Sequence, residues 1–208
     1  MTQKIKNALI SVSDKSDLQK ILPTLDKYKI NLISSGGTYK EIKKLGYKCN
    51  ELSKYTGFEE MLGGRVKTLH PKIHAGILSD RSNKRHQDEM IKNRFKNIDL
   101  IIVNFYPFQK IVLKTKNSRN IVENIDIGGP TMVRAAAKNF KDVLIITDGK
   151  DYDALIDQLR QHKGKTSLQF REYMASKAFG LTAYYDSMIA TWFNKKLNIT
   201  FPDRKTIF

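Results

Sequence analysis

The sequence predicts an α/β fold built on a largely parallel sheet, and three observations carry that prediction. Short apolar runs alternate with helical patterns along residues 8–146. The runs are continuous rather than alternating, as in Leu100-Ile101-Ile102-Val103, which suits strands buried on both faces. Where two of the runs end, hydroxyls and glycines gather: Ser11-Val12-Ser13-Asp14-Lys15 and Ser34-Ser35-Gly36-Gly37-Thr38.

Ala8 to Val12 reads as the first strand, with Ser13 as the N-cap of the helix that follows. In that helix Leu18, Ile21, Leu22, Leu25 and Tyr28 keep helical spacing, and Pro23 predicts a kink or break. Ile30 to Ile33 is a second strand, and Thr38 to Leu45 a short helix closed by Gly46. The segment 47–81 is less regular, and 83–96 forms a charged, exposed helix. Leu100 to Val103 is the clearest buried strand; another helix starts after Gly128-Gly129-Pro130, and Val143 to Ile146 is a further strand. Residues 168–195 form one long helical stretch. The chain therefore divides into a core over 1–150, a helical extension of the same domain over 151–199, and the start of a linker over 200–208.

Composition narrows the function classes. The 208 residues, 40% hydrophobic, can hold one sizeable core, and no stretch is apolar enough to span a bilayer. The start of the chain lacks a signal-peptide core, and a lone Cys49 cannot form an intrachain disulfide, so the expected compartment is the cytoplasm. The net charge of +16 raises nucleic-acid binding, but the lysines are scattered from Lys4 to Lys205 with carboxylates between them. Anionic metabolites are the better match for that charge.

The most informative run is Gly63-Gly64-Arg65-Val66-Lys67-Thr68-Leu69-His70-Pro71, which sets two cations and a hydroxyl on a loop begun by glycine and ended by proline. Arg and Lys there offer fixed positive charge to a phosphate or a developing oxyanion. The two strand-end turns offer unpaired helix N–H groups, which also favour phosphate. No G-x-x-x-x-G-K-[ST] and no G-x-G-x-x-G is present, which removes most support for an ATPase or a dinucleotide enzyme. His70 and His74 are spaced like zinc ligands, yet Pro71 opposes a helix through both and no nearby carboxylate completes a set. Cys49 reads as a small buried residue. Asp126 before Gly128-Gly129-Pro130 reads equally as a helix cap, and Lys138 as a cation at a helix C-terminus. These patterns alone reach an α/β enzyme acting on a phosphorylated metabolite.

The motifs in combination go further. The runs Ser11 to Lys15, Ser35 to Thr38, Gly63 to Pro71, Asn104-Phe105-Tyr106-Pro107-Phe108, Ile125 to Gly129 and Arg134-Ala135-Ala136-Ala137-Lys138-Asn139 occur in that order. In this they resemble the IMP cyclohydrolase domain family, the N-terminal half of bifunctional purine biosynthesis proteins of the PurH type. Phe105 stands where that family usually has Leu. The resemblance implies a methylglyoxal-synthase-like fold, an open, mainly parallel sheet with helices on both faces and a C-terminal helical extension. It also implies closure of the ring of 5-formamidoimidazole-4-carboxamide ribotide (FAICAR) to IMP, with loss of water. No metal or organic cofactor is expected, since the reaction is neither redox nor group transfer. A homodimer in the full-length protein, with an AICAR formyltransferase domain fused C-terminally and absent here, is implied as well.

By the same resemblance Lys67, Tyr106, Asp126 and Lys138 match the family's catalytic positions. Lys67 would stabilise oxyanion charge and deliver a proton; Asp126, poised by Lys138, would draw the amide proton; Tyr106 would orient the network. Acid and base remain exchangeable at this level. Ser13, Lys15, Ser35, Gly37, Thr38 and Arg65 would hold the phosphate and ribose, and Thr68, Asn104, Gly128 and Gly129 the base. Ser11, Gly36 and Ile127 complete the substrate-binding set. Three rivals stay open: methylglyoxal synthase, a regulatory nucleotide-sensing module like that of carbamoyl-phosphate synthetase, and, third, a nucleic-acid binder.

Overall fold

The computed structural model describes residues 2–199, so the linker expected over 200–208 lies outside the described residues. After a short strand β1 (Thr2–Lys4), the first apolar run becomes β2 (Asn7–Val12). Its Ala8, Leu9 and Ile10 are fully buried, which requires cover on both faces and puts β2 mid-sheet. Helix α1 (Leu18–Lys27) leads to β3 (Asn31–Ser34), α2 (Gly36–Lys44), β4 (Asn50–Glu51) and α3 (Leu52–Thr56). Then come α4 (Pro71–Leu78), α5 (Lys84–Lys92) and β5 (Leu100–Asn104). Two short helices, α6 (Phe108–Lys114) and α7 (Ser118–Glu123), precede α8 (Gly128–Lys138) and β6 (Leu144–Ile146). The described chain closes with α9 (Tyr152–Gln161), β7 (Lys165–Ser167) and α10 (Leu168–Leu197).

Five strands pair in the order β4-β3-β2-β5-β6, all parallel, with Ile10 level with both Ser34 and Ile102. From β2 the chain steps outward through α1 to β3; it later returns to the other side of β2 and steps outward through α8 to β6. Right-handed crossovers in opposite directions put α1 and α8 on opposite faces. Helix α9 then packs with α1, and α4 and α10 pack with α8. One apolar core runs through both layers; it includes Tyr152, Leu155, Leu159, Met174 and Ala178 from the stretch beyond residue 150. A second, small sheet pairs β1 antiparallel with β7.

Several local expectations need correction. Ser13 is not a helix cap, because α1 begins only at Leu18, behind Asp17. Pro23 does not break α1: Leu18, Ile21, Leu22 and Leu25, buried on either side of it, hold the helix together across the missing N–H. The irregular segment contains α4, with Pro71 at its first position, where a missing N–H costs no bond. His70 caps that helix, its Nδ1 accepting the Lys72 N–H at 3.1 Å, which is a structural task rather than a metal one.

Candidate active site

Strand order reverses at β2 and β5, so the loops leaving their carboxyl ends diverge and open a crevice between them. Four segments singled out in the sequence arrive there: the turn after β2, the start of α2, the loop before α4 and the turn before α8.

The start of α2 is an anion cradle. Gly36 is its first residue and has φ of 52°, a left-handed conformation that glycine adopts without strain. A Cβ at Gly36 would lie 3.8 Å from Lys67 Nζ, and one at Gly37 would lie 3.6 Å from Lys15 Nζ. Two ammonium groups therefore stand over a helix N-terminus, whose free N–H groups carry partial positive charge. Lys15 is steadied by the Ser13 carbonyl at 2.9 Å. Ser35 is at the N-cap position, with no side-chain cap bond.

Two residues expected to touch ligand are engaged elsewhere. The Thr38 hydroxyl donates to the Val12 carbonyl at 2.9 Å and accepts the Val12 N–H at 3.1 Å, which staples α2 to β2. Asn104 accepts from the Ser13 and Asp14 N–H groups (2.6 and 3.2 Å) and donates to the Asp14 carbonyl at 3.1 Å. Its amide shapes the turn that carries Lys15; it acts on that turn rather than reaching outward.

The loop before α4 is a tight hairpin. Met61 and Val66 form an antiparallel bridge around a tip of left-handed residues, Leu62, Gly63 and Gly64. This geometry sets Glu60 opposite Lys67, with Oε1 3.2 Å from Nζ. Arg65 turns outward and grips Glu123 at the end of α7 with both Nε (3.0 Å) and Nη2. Thr68 is buried, its hydroxyl packed where a Cβ on Gly128 would otherwise sit.

Asp126 folds back over the start of α8. Its Oδ1 accepts the Gly129 N–H at 2.9 Å, and a Cβ at Gly129 would lie 2.5 Å from Oδ2, so a side chain there would push the carboxylate out of place. Burial pushes the Asp126 carboxyl above its ordinary range; the Gly129 N–H, the Lys67 charge and the Tyr106 backbone act against that shift. Tyr106 and Ile127 are exposed at the rim, and Ser11 lies at the end of β2.

Lys138 does not join this group. It closes α8, ten residues beyond Gly128 and so about 15 Å along the helix axis, at the opposite end of the sheet. There it favours the negative helix terminus, as a last-turn lysine does. Cys49 is half-buried, and burial holds its thiol up to about 11, in the neutral form.

A cleft of about 400 Å³ adjoins the site and shares Ser13, Asn104 and Tyr106 with it. Lys15, Lys67 and Asp126 do not line it, so convergence of charge rather than size marks the chemistry. Three residues near the site had no signal in the sequence patterns. Glu60 and Glu123 partner the cations, and Tyr185 of α10 accepts the Asp126 N–H at 2.8 Å. Only the folded hairpin, closed by the Met61–Val66 bridge, brings Glu60 opposite Lys67.

Cations over a helix N-terminus, with a half-buried carboxylate beside them at a sheet switch point, define an α/β site for an anionic small molecule. The chain belongs to the MGS-like domain family, whose pattern matches residues 17–131. A second family, described as AICARFT/IMPCHase bienzyme, matches residues 136–207. The bifunctional purine biosynthesis protein PurH of Bradyrhizobium diazoefficiens is 47% identical over 201 residues, covering 97% of this chain and 38% of the relative. The protein of the same name from Leptospira biflexa is 46% identical over 204 residues, covering 98% of this chain and 40% of the relative. The chain thus spans about two fifths of the length of these curated relatives. Among solved structures, that of ForH superposes with a TM-score of 0.81 at 30% identity, covering 91% of this chain and 99% of ForH.

Proposed function

We propose that this chain is an IMP cyclohydrolase, which closes FAICAR to IMP, in a protein whose relatives are bifunctional. The observation that carries the proposal is Lys67, whose ammonium stands between the α2 N-terminus, Glu60 and Asp126. The substrate phosphate would lie on the α2 cradle between Lys15 and Lys67. The ring would extend toward Thr68, Gly128 and Asp126.

Both reacting groups belong to one molecule, so the first task is to hold a single rotamer. Such orientation supplies up to about 7–11 kcal/mol of a barrier in the best cases. The carboxamide nitrogen then attacks the formyl carbon and gives up one proton. Asp126 is the candidate base, and its half-buried carboxylate is a stronger base than an exposed one. Negative charge collects on the formyl oxygen, where Lys67 stabilises it and supplies a proton. The hydroxyl leaves as water when the formamido nitrogen loses its proton and the ring double bond forms. Tyr106 closes the rim. Lys138, at the far end of α8, takes no step within this chain. A homodimeric full-length protein, a fused formyltransferase half and a cytoplasmic location belong to the same proposal. Among the described residues no helix is long and apolar enough to cross a membrane.

The test is to incubate the purified chain with FAICAR and follow IMP. Formation of IMP above the uncatalysed rate supports the reading. Tight IMP binding without turnover would favour the nucleotide-sensing module instead.

A further inference from the structure

Tyr185 is buried to 2% exposure in the middle of α10, far in sequence from every motif of the site. Its hydroxyl accepts the Asp126 N–H at 2.8 Å. Its ring packs on Phe105, with centroids 5.0 Å apart at 56°, and meets Phe108 edge-on at 6.3 Å. Phe105 and Phe108 bracket Tyr106; Phe108 in turn meets Trp192 edge-on at 6.4 Å. Ile121, Ile125 and Met188 belong to the same satellite cluster, which Phe105 links to the main core.

One side chain therefore touches two of the loops at the site, those of Tyr106 and Asp126. The ring fixes the loop of Tyr106, and the hydroxyl fixes the backbone from which Asp126 projects. We propose that Tyr185 is a positioning residue for ring closure, through which α10 sets Asp126 against Lys67. The hydroxyl has a task distinct from that of the ring. The half-buried Asp126 N–H lies ahead of α8 and takes Tyr185 as its partner in place of a helical carbonyl; an N–H shielded from water is rarely left unpaired. A phenylalanine would fill the same space and leave that N–H unpaired, free to rotate the carboxylate out of line. A misplacement near 1 Å at a reacting group is enough to change rates by up to about 10²-fold.

This inference rests on the cyclohydrolase reading, and the experiment separates the two. Tyr185→Phe is compared with the unaltered chain for kcat and KM with FAICAR, for thermal unfolding, and for exchange of the Asp126 amide proton by NMR. The expected result is a kcat lowered about tenfold, KM within twofold, and faster Asp126 exchange. Trp192→Phe loosens the same cluster through Phe108 but leaves the Tyr185 hydroxyl in place, so it should lower the unfolding midpoint and leave kcat within twofold. A Tyr185→Phe protein with full kcat overturns the proposal, as does a Trp192→Phe protein that loses kcat equally. Should the unaltered chain form no IMP, the cyclohydrolase reading falls on its own. Amide exchange then decides for Tyr185: unchanged protection of Asp126 overturns its positioning role, and faster exchange supports it.

Discussion

The two ends of the sheet both hold charge, and they hold it in opposite ways. At the amino end Arg81 and Asp99 pair at 3.3 Å with side chains only 12% and 5% exposed. Asp99 Oδ2 also accepts the Lys6 and Asn7 N–H groups at 2.8 and 2.9 Å, and Arg81 donates to the Ile98 carbonyl at 3.0 Å. Arg171, equally buried, gives its guanidinium to the carbonyls of Phe140, Lys141 and Thr166. At the carboxyl end Arg65 meets Glu123 with side chains 66% and 52% exposed, and Lys67 meets Glu60 at a half-open rim. The amino-end charges are bound to backbone that cannot leave. The carboxyl-end charges face carboxylates that water, or a phosphate, can replace.

The pKa directions separate the ends in the same sense. Burial raises Asp99 and lowers Arg81, so desolvation outweighs their attraction, as expected for a buried pair. In the exposed pair Glu123 is lowered by Arg65, and Arg65 raised by Glu123. The first pair therefore fixes strand ends, and the second is available to bind and release.

The largest effect should come from breaking the amino end. Asp99→Ala leaves Arg81 buried without its carboxylate, and should lower stability by about 3–5 kcal/mol in urea titrations, with kcat of the folded fraction within twofold. A small stability change, or a selective loss of kcat, would blur the division between the ends.

Asp126→Asn asks the reverse question at the carboxyl end. Asparagine keeps an acceptor for the Gly129 N–H but removes the base, so kcat should fall by about 10²–10⁴. A raised carboxyl makes its contribution to stability at pH below its unfolded value of 3.8, and that contribution is lost as pH rises through the folded value. At pH 7 the ionised Asp126 therefore destabilises the fold, and the Asn variant should unfold at the same temperature or higher. That advantage should vanish below pH 3.8. For the same reason the acid limb of kcat in the unaltered chain should lie above the ordinary carboxylate range.

The smallest effect belongs to the exposed pair. Glu123→Gln should leave the unfolding midpoint and kcat where they are and lower KM for FAICAR a few-fold, because it frees Arg65 for the phosphate. A large loss of stability would mean that the pair is structural after all.

Much of this contrast was legible in the sequence, and the reasons differ by region. The central strands were readable because buried parallel strands demand continuous apolar runs, and Leu100 to Val103 falls inside β5. Helices α6 and α7 were missed because six or seven residues are too few for a 3.6-residue period to show. The site's turns were readable as glycine and hydroxyl clusters. The tasks of Thr38 and Asn104 were not, because a hydroxyl or amide in such a turn serves backbone as readily as ligand. Lys138 matched a motif, but helix rise alone carries it about 15 Å away, to the far end of α8. Tyr185 was invisible because nothing local links it to Asp126, 59 residues away.

At the carboxyl end the group that matters most for ring closure is Lys67, held at a half-open rim by Glu60. Its role is decided by kcat for FAICAR ring closure by Lys67→Ala beside the unaltered chain, with unfolding followed in parallel. The expected result is a loss on the order of 10² or more in kcat at an unchanged unfolding midpoint. A Lys67→Ala protein that closes the ring at the full rate would contradict it.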